Sequence, residues 1–372
     1  MNCFRRLCEI CKPSWQTGTS TLQEMMDTSD LLNLPVYIED ITHNRLAMDT
    51  SSGFTRVTTV VRCEGTGHTG SGEDVIYDAD EHEYLPEWHP ELPLPFAGTV
   101  QSFSQLLDNV SLFPSSPDRA EYQNYRRWAF ESAALDLALR QADTNLASGL
   151  DKTFNPVTFV VSTSLGEPPS TDRILSLLEQ YPSLEFKLDP TPDWSDELIE
   201  QIAGMEVVRI LDCKAAYHGT DFGYEPDADL YRRLLESFPT AIIEDPGLDE
   251  ETLPLFEGHE HRIAWDAPMT SLESVRDRPL NAGWLNIKPS RFGRISTVLD
   301  VIEYCYENDI TMYGGGQFEL GVGRSQIQTL ASVFYPDGPN DVAPRGFNQP
   351  TVIDGLETSP LVPPLSQVGF GY

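Results

Sequence analysis

Lysine is rare in this chain, and most of its lysines follow short runs of apolar residues. The 372 residues contain Lys12, Lys152, Lys187, Lys214 and Lys288 and no other lysine. The last three end the runs LEFK, VVRILDCK and WLNIK, which have the length and composition of buried β-strands. Charged side chains that repeatedly follow buried strands are typical of an active site at the strand ends of a barrel. Charges that only face solvent would not need to be positioned by buried strands.

Carboxylates follow the same kind of apolar run at three further positions. Asp212 ends VVRILD, Glu244 ends TAIIE and Asp266 ends RIAWD. On adjacent strands about 4.8 Å apart, three acids would converge and repel one another unless a cation lies among them. Oxygen ligands with room for water suit Mg²⁺, or Mn²⁺, better than Zn²⁺. The alternative is three acids that cap helices or form salt bridges at strand-to-helix turns.

Lys187 and Lys288 are the candidate acid–base residues. In a closed barrel of eight strands they would lie on opposite sides, with the carboxylate-bearing strands between them. A desolvated lysine near a cation loses its proton more easily and can act as a base, whereas a charged lysine can donate a proton. A cation on a carboxylate substrate also makes the α-proton more acidic, because it stabilises the ene-diolate that forms. The alternative for each lysine is a surface salt bridge.

Strand and helix patterns alternate from Val157 onward. The predicted strands are VTFVV, LEFKL, VVRILD, AIIED, RIAWD, WLNIK, ITMYGG and a short final DVAP. The candidate residues follow one another at intervals of roughly 20 to 35 residues, the length of one βα unit. Repeated βα units predict a parallel sheet covered by helices, and eight strands favour a closed barrel. A doubly wound open sheet is the alternative, but no G-x-G-x-x-G motif opens the series.

The first third of the chain has the pattern of a small α+β domain. Two β-rich runs, VYIEDI and TRVTTVVRCE, precede two helical stretches that include ALDLALR. We predict a disordered tail over residues 1–33, an α+β domain over 34–125, a barrel over 126–348 and a C-terminal segment over 349–372 that returns to the first domain.

The composition argues against several classes of partner. A net charge of −33 and a pI near 4.3 disfavour binding to nucleic acid and to anionic membranes. No stretch approaches the roughly 20 apolar residues that span a bilayer, and no secretory leader is recognised, so we expect a cytoplasmic protein. The acid excess has two interpretations: a protein adapted to high salt, or an ordinary acidic cytosolic protein.

Three cysteines lie close together near the start of the chain. Cys3, Cys8 and Cys11 form a C-x4-C-x2-C cluster with no fourth ligand nearby, a weak signal for zinc or an iron–sulfur cluster. The alternatives are a disordered leader and a true start near Met25 or Met26. The remaining cysteines are far apart, which predicts reduced thiols.

Several segments, read together, resemble the enolase superfamily and, within it, the branch of muconate lactonising enzymes and o-succinylbenzoate synthases. They occur between about Val36 and Asn348 in the order GHTGSGE, ALDLALR, FKLD, ILDCK, IIEDP, AWDAP, NIKPSRFG and YGGGQFELGVGR. The resemblance implies a (β/α)7β-type barrel with an N-terminal α+β capping domain, a small carboxylate substrate and a homo-oligomer. It also implies that the three carboxylates above bind Mg²⁺ and that the two lysines form the acid–base pair. Members of this branch remove a proton α to a carboxylate and then dehydrate, cycloisomerise or epimerise.

Two positions depart from the family pattern. The family has Lys-x-Lys on the second strand, where this chain has Glu185, and Asp-x-Asn on the third, where it has Lys214. Each residue is two positions from its partner and would share its face if the strand continued. We hypothesise an ion pair between Glu185 and Lys214 near the site. The alternative is that Lys214 binds the far carboxylate of the substrate or acts as a further acid.

Four more residues are candidates for binding the substrate. Gln317 and Glu319 follow three glycines after the seventh strand. Glycines at this position of a barrel could bind a phosphate, but no Lys or Arg is near to anchor one. We therefore prefer the interpretation that the backbone approaches the substrate closely here. His43 and Arg45 lie in the region that, by the resemblance, closes over the site and sets specificity.

Two other functions compete with the metal-assisted one. A Schiff-base aldolase would use Lys187 or Lys288 on the same barrel. A binding protein without catalysis is the second rival, but buried charges at strand ends cost stability unless something uses them.

Overall fold

The computed structural model describes residues 28–85, 87–217, 223–364 and 367–371. Most of the predicted tail, with its three clustered cysteines, lies outside the described residues.

Five antiparallel strands form the N-terminal part of the chain. They are β1 (Pro35–Ile38), β2 (Asp40–Asp49), β3 (Thr55–Gly65), β4 (His68–Asp74) and β5 (Phe96–Thr99). β2, β3 and β4 form a meander, and β1 pairs with β5. Thr66 and Gly67 connect β3 to β4 with φ values of 51° and 77°. Positive φ at both positions is what a two-residue hairpin turn requires, which explains the glycine.

One long helix packs across this meander. The helices of this part are α1 (Ser29–Leu32), α2 (Asp80–Glu83), α3 (Val100–Leu107) and α4 (Tyr122–Gln141). α4 crosses β4 at Gly70 and Gly72, where any Cβ would collide with the helix backbone at Leu137 and Ala129. The glycines of the GHTGSGE segment therefore let α4 lie directly on the strand.

Seven parallel strands follow in the order of the chain, which confirms the predicted βα series. They are β6 (Val161–Thr163), β7 (Phe186–Leu188), β8 (Val208–Asp212), β9 (Ile242–Glu244), β10 (Ile263–Trp265), β11 (Trp284–Ile287) and β12 (Thr311–Gly314).

The segment at residues 340–341 closes this sheet into a barrel. Asn340 forms a parallel bridge with Phe159 just before β6, and Asp341 forms one with Gly315 just after β12. The predicted eighth strand, DVAP, is thus reduced to two bridges. Pro344 has no N–H to donate to a ladder, which limits the length of this strand. The barrel with an N-terminal α+β domain is confirmed.

Helices cover the outside of the barrel. They are α5 (Leu146–Gly149), α6 (Asp172–Gln180), α7 (Asp196–Ala203), α8 (Ala228–Ser237), α9 (Leu272–Arg276), α10 (Pro289–Phe292), α11 (Ile295–Glu307) and α12 (Val322–Phe334). Side chains cap several of them: Ser195 accepts from the N–H of Leu198, and Asp227 accepts from that of Leu230.

Two buried charges join the N-terminal domain to the barrel loop after β12. The Arg56 guanidinium donates to the carbonyls of Val75 and Gln317 at 2.6 and 2.9 Å. The Glu73 carboxylate accepts from the backbone N–H of Leu320 at 2.6 Å and of Gly323 at 2.8 Å, at the start of α12. The loop is therefore held from outside the barrel, and the Glu73 carboxyl accepts hydrogen bonds from N–H groups at the helix N-terminus that would otherwise lack a partner.

The C-terminal residues contact both parts of the chain. Leu361 bridges Val157 beside β6, and the Phe370 N–H donates to Asp136 of α4 at 2.8 Å. The exact domain limits stay a prediction. Among the described residues, no helix combines the length and the apolar character needed to cross a bilayer.

Candidate active site

Lys187 lies among carboxylates inside the barrel. It is the central residue of β7, and its Nζ is 2.6 Å from Glu244 Oε1 and 3.1 Å from Asp212 Oδ2. Asp341, in the segment that closes the barrel, is the third neighbour at 3.8 Å. Because Asp212 and Glu244 are the last residues of β8 and β9, parallel pairing brings both carboxylates to the same end of the sheet.

Lys288 lies on the other side of the strands that carry the three carboxylates. It follows β11 directly, and its Nζ is 2.7 Å from Asp266 Oδ2. Arg291, one turn later in α10, donates to the same oxygen at 3.2 Å. Lys187 and Lys288 therefore flank the row of three carboxylates, each bound to its nearest acid.

Neutral side chains complete the shell around Glu244. The Tyr313 hydroxyl donates to Glu244 Oε2 at 2.6 Å, and the Asn286 amide donates to Oε1 at 3.3 Å. The next residue, Asp245, accepts from the N–H groups of Asp266 and Ala267 at 2.8 Å each. These bonds fix the ends of β9, β10 and β11 relative to one another.

Burial and charge shift the pKa values of this cluster in opposite directions. Burial, reinforced by repulsion from Asp212 and Asp266 and opposed by Lys187, raises the pKa of Glu244 to about 8. Burial alone would lower the pKa of Lys187 and of Lys288, but attraction to the carboxylates outweighs it and raises both. Both amines are thus protonated in this state, and either acts as a base only when its carboxylates are neutralised by another charge.

The donor set fits a hard divalent cation. All three acids are at most 7 % exposed, and they supply oxygen ligands from adjacent strands. Asp266 Oδ1 is buried without a hydrogen bond, although Arg291 Nε lies 3.2 Å away. Within the described ranges, no three Asp, Glu, His or Cys side chains form a ready-made metal site. The Lys187 and Lys288 ammonium groups lie 2.6 and 2.7 Å from the Glu244 and Asp266 carboxylates.

The hypothesised ion pair between Glu185 and Lys214 does not form. Glu185 accepts from Arg209 at 2.9 and 3.0 Å, at the partly exposed start of β7. The reason is that the two residues lie at opposite ends of parallel strands. Glu185 comes just before β7, level with the start of β8, whereas Lys214 lies two residues beyond the end of β8.

Lys214 pairs instead with Asp189, the residue that follows β7. The Nζ–Oδ2 distance is 2.6 Å. Lys214 has a φ of 51°, and its backbone N–H donates to Asp212 Oδ1 at 3.1 Å. The loop that follows contains His218, which lies outside the described residues.

The loop after β12 contributes Gln317 and Glu319 to the edge of the cluster. The Gln317 side chain donates to the Tyr125 hydroxyl at 3.1 Å, and this hydroxyl lies 3.5 Å from Arg291. Glu319 accepts from the Gln317 N–H at 2.6 Å and lies 3.5 Å from Arg324. Gln317 is therefore linked to the Lys288 side of the cluster, whereas Glu319 stabilises its own loop.

Sequence reasoning missed four neighbours of the cluster: Asn286, Arg291, Tyr313 and Asp341. Signals for two of them existed. Asn286 is two residues before Lys288 on a strand and shares its face, and Arg291 lies one helical turn after it. Tyr313 and Asp341 carry no local signal, because only barrel closure brings them to Glu244 and Lys187.

His43 and Arg45 lie on β2, in the N-terminal domain. The His43 ring stacks on His89 at 5.4 Å and meets the edge of Phe130 at 5.9 Å. Both ring nitrogens are buried without a hydrogen-bond partner. Arg45 is exposed, opposite Thr59. The contacts described for His43 do not include the lysine–carboxylate cluster, so its role in substrate binding stays a prediction.

We expect His43 to make the fold acid-sensitive. Burial, with a smaller contribution from His89, lowers the pKa of His43 to about 4, against 6.5 in the unfolded chain. The folded state therefore excludes a proton that the unfolded state binds. The stabilisation is complete above pH 6.5 and is lost between pH 6.5 and 4, up to about 3 kcal/mol. In urea unfolding from pH 4 to 8, His43→Phe should flatten this slope, whereas the exposed-site control His68→Phe should keep it.

Gly315 is expected to be essential for the position of Lys288. A Cβ at this residue would lie 2.8 Å from Lys288 Cε and would overlap the Asn286 amide. We expect Gly315→Ala to displace both side chains and to cost about 1–3 kcal/mol of unfolding free energy. Any turnover should fall by roughly 100-fold, as a displacement of about 1 Å at a reacting group implies. Gly204→Ala, where the nearest atom would be 3.3 Å away, is the control in chemical denaturation and activity assays.

A cavity of about 620 Å³ lies apart from this cluster. Its lining consists of Pro192, Tyr224, Glu225, Pro226, Asp227, Ala228, Asp229, Arg232 and Glu251. Four acids and one arginine would repel a carboxylate substrate, so the cluster inside the barrel is the better candidate.

Comparison with known proteins identifies the family of the chain. Residues 29–149 and 153–349 match the N-terminal and C-terminal domains of a family described as a domain of unknown function (DUF8230). The chain is 26 % identical over 294 residues to an o-succinylbenzoate synthase from Geobacillus kaustophilus, covering 74 % of each chain. It is 26 % identical over 267 residues to an N-succinylamino acid racemase from Amycolatopsis sp, covering 67 % of this chain and 70 % of the relative.

Solved structures show the same fold. An enolase superfamily member from Listeria innocua Clip11262 is 20 % identical, with a TM-score of 0.59 over 84 % of this chain and 86 % of that one. Muconate cycloisomerase from Pseudomonas fluorescens is 15 % identical, with a TM-score of 0.60 over 83 % and 87 % of the two chains.

Proposed function

We propose that this chain, which belongs to the family described as DUF8230 and is similar to enzymes of the enolase superfamily, is a Mg²⁺-dependent lyase or isomerase. Its reaction would remove the proton α to a carboxylate of a small organic acid and pass through an ene-diolate. One observation carries the proposal: carboxylates that end three adjacent strands are flanked on both sides by buried lysines.

Asp212, Glu244 and Asp266 would hold the metal ion. When bound, Mg²⁺ (or Mn²⁺) supplies positive charge that stabilises the anion formed on loss of the α-proton. Tyr313 and Asn286 keep the Glu244 carboxylate oriented, and Arg291 does the same for Asp266.

Lys187 and Lys288 would move the proton. They approach the row of acids from opposite sides, so one amine faces each side of a substrate bound over the carboxylates. In a dehydration, one amine takes the α-proton and the other protonates the leaving oxygen; in an epimerisation, the second amine returns a proton to the opposite face. Relatives named as a synthase and as racemases support both outcomes, with cycloisomerisation as a third.

A Schiff-base aldolase is less well supported. Such a lysine must be neutral to attack a carbonyl, but the carboxylates raise the pKa of both Lys187 and Lys288. We further propose a cytoplasmic homo-oligomer. Its net charge of −33 disfavours binding to nucleic acid and to anionic membranes.

The test is exchange of the α-proton in D2O. Dicarboxylates, sugar acids and N-acylamino acids would be incubated with the protein and Mg²⁺ or with EDTA, and deuterium at the α-carbon followed by NMR. We expect exchange that requires Mg²⁺ with at least one class of acid. Metal-independent turnover of a carbonyl substrate, with trapping by borohydride, would instead establish the aldolase.

A further inference from the structure

Asp245 is a buried carboxylate that takes no part in the proposed chemistry. It follows Glu244 directly and is 1 % exposed. Asp212, Glu244 and Asp266 already place three carboxylates at these strand ends, so a fourth adds repulsion to the same buried region. A buried acid costs stability unless hydrogen bonds compensate it. The partners of Asp245 therefore indicate what this residue does.

Both side-chain oxygens of Asp245 accept hydrogen bonds from the backbone at the end of the neighbouring strand. Oδ1 accepts from the N–H of Asp266 and Oδ2 from the N–H of Ala267, each at 2.8 Å. Asp266 is the candidate metal ligand that follows β10, and the bond holds its backbone without using its carboxylate oxygens. Two adjacent N–H donors need two acceptor oxygens, which a carboxylate has and an amide lacks.

The backbone of Asp245 extends the same junction to the strands on both sides. Its N–H donates to the carbonyl of Ala264 in β10 at 3.0 Å, and its carbonyl accepts from the N–H of Ala215 at 3.2 Å. Ala215 lies three residues after Asp212, the last residue of β8. One residue is thus bonded to the segments that carry all three candidate metal ligands.

The backbone conformation of Asp245 belongs to this arrangement. Its φ is 46°, a left-handed value that a β-strand cannot contain, so β9 ends at Glu244. Aspartate and asparagine enter this region more readily than most other residues, because their short polar side chains bond locally. Asparagine at this position would therefore keep the backbone conformation and change only the acceptor atoms.

We propose that Asp245 is a positioning residue that fixes the spacing of Asp212, Glu244 and Asp266 and so makes the site selective for Mg²⁺ over Ca²⁺. The inference rests on the proposed function, because it takes these three residues as the metal ligands. Mg²⁺ requires short bonds in a regular geometry, whereas the larger Ca²⁺ accepts longer bonds and irregular geometries. Ligands held at fixed positions therefore favour Mg²⁺, and loosening them reduces that preference.

The test is the ratio of the Kd values for Mg²⁺ and Ca²⁺, measured by calorimetry on the full chain. In Asp245→Asn, the amide keeps one acceptor and turns an NH₂ group toward the other backbone donor. We expect the Kd for Mg²⁺ to rise by about 10- to 100-fold, as is usual when a residue that orients a metal ligand is replaced. The Kd for Ca²⁺ should rise less, so the preference for Mg²⁺ falls. Asp245→Ser, which places no amide against that donor, should lower the preference in the same way.

Asp136→Asn is the matched control. Asp136 is also 1 % exposed, and its two oxygens accept from the N–H groups of Phe370 and Ser71 at 2.8 and 2.9 Å. It lies on α4, in the N-terminal domain. Its replacement should lower stability in chemical denaturation but leave the ratio of the two Kd values unchanged, so a general loss of stability cannot imitate the expected result.

Exchange of backbone amides with D2O, followed by NMR, separates this inference from the proposed function. Asp245→Asn should speed the exchange of the Asp266 or Ala267 N–H, a result that needs no metal. A folded Asp245→Asn protein that keeps the wild-type ratio of Kd values overturns the inference, whatever its activity. If the wild-type protein binds no Mg²⁺, the proposed function fails and amide exchange decides the role of Asp245. Unchanged protection of both N–H groups then overturns the positioning role, and faster exchange supports it.

Discussion

Replacing Lys288 by methionine is expected to lower Mg²⁺-dependent turnover by about 10³-fold, within the range of losses when a general acid or base is removed. Lys288 is buried, and its Nζ lies 2.7 Å from Asp266. Methionine keeps most of the side-chain volume, and Arg291 still contacts Asp266 at 3.2 Å, so the fold should survive. The loss should therefore appear in kcat and not in folding.

Exchange with solvent provides a sharper measurement. Because the two lysines approach from opposite sides, Lys288→Met should lose deuterium exchange for one enantiomer of an α-chiral acid and keep it for the other. Lys187→Met should show the reverse preference. Lys152→Met, at a lysine beside the Tyr306 and Phe334 rings, is the control for loss of a lysine elsewhere. Turnover of Lys288→Met within threefold of wild type would remove this lysine from the acid–base pair.

Replacing Glu244 by glutamine is expected to abolish Mg²⁺ binding and therefore to lower the activity by at least about 10³-fold. Glu244 is fully buried and accepts from Lys187 and Tyr313, both at 2.6 Å. Glutamine has the same shape but no charge, so one of three anionic ligands is lost. A ligand at 100 times its dissociation constant stabilises the native state by about 2.7 kcal/mol, which makes thermal unfolding a direct assay.

The increase in Tm caused by Mg²⁺ should itself depend on pH. Burial raises the pKa of Glu244 to about 8, so a proton and Mg²⁺ compete for this carboxylate. In the wild-type protein, the increase in Tm caused by Mg²⁺ should grow as the pH rises from 6 to 8. Glu244→Gln should show no such increase at any pH, whereas the exposed-site control Glu200→Gln should behave as wild type. A Mg²⁺-induced increase in Glu244→Gln equal to that of wild type would place the metal elsewhere.

Much of the site follows from the sequence because its signals are local. A run such as VVRILD or AIIED has the composition of a buried strand, and parallel strands bring their final residues to one end. The amino-acid sequence is therefore enough to predict that Asp212, Glu244, Asp266 and Lys288 lie together. Lys187 is found in the same way, although it lies at the centre of its three-residue strand.

Tertiary structure alone decided which charges meet. Glu185, which comes just before β7, pairs with Arg209 near the start of β8, whereas Lys214, beyond the end of β8, pairs with Asp189. Tyr313 and Asp341 reach the cluster only because the barrel closes through residues 340–341. Strand composition and βα spacing depend on residues that are close together in the sequence, so the sequence alone predicts them. Register, closure and ion pairing depend on distances between residues far apart in the chain, which packing of the whole fold sets.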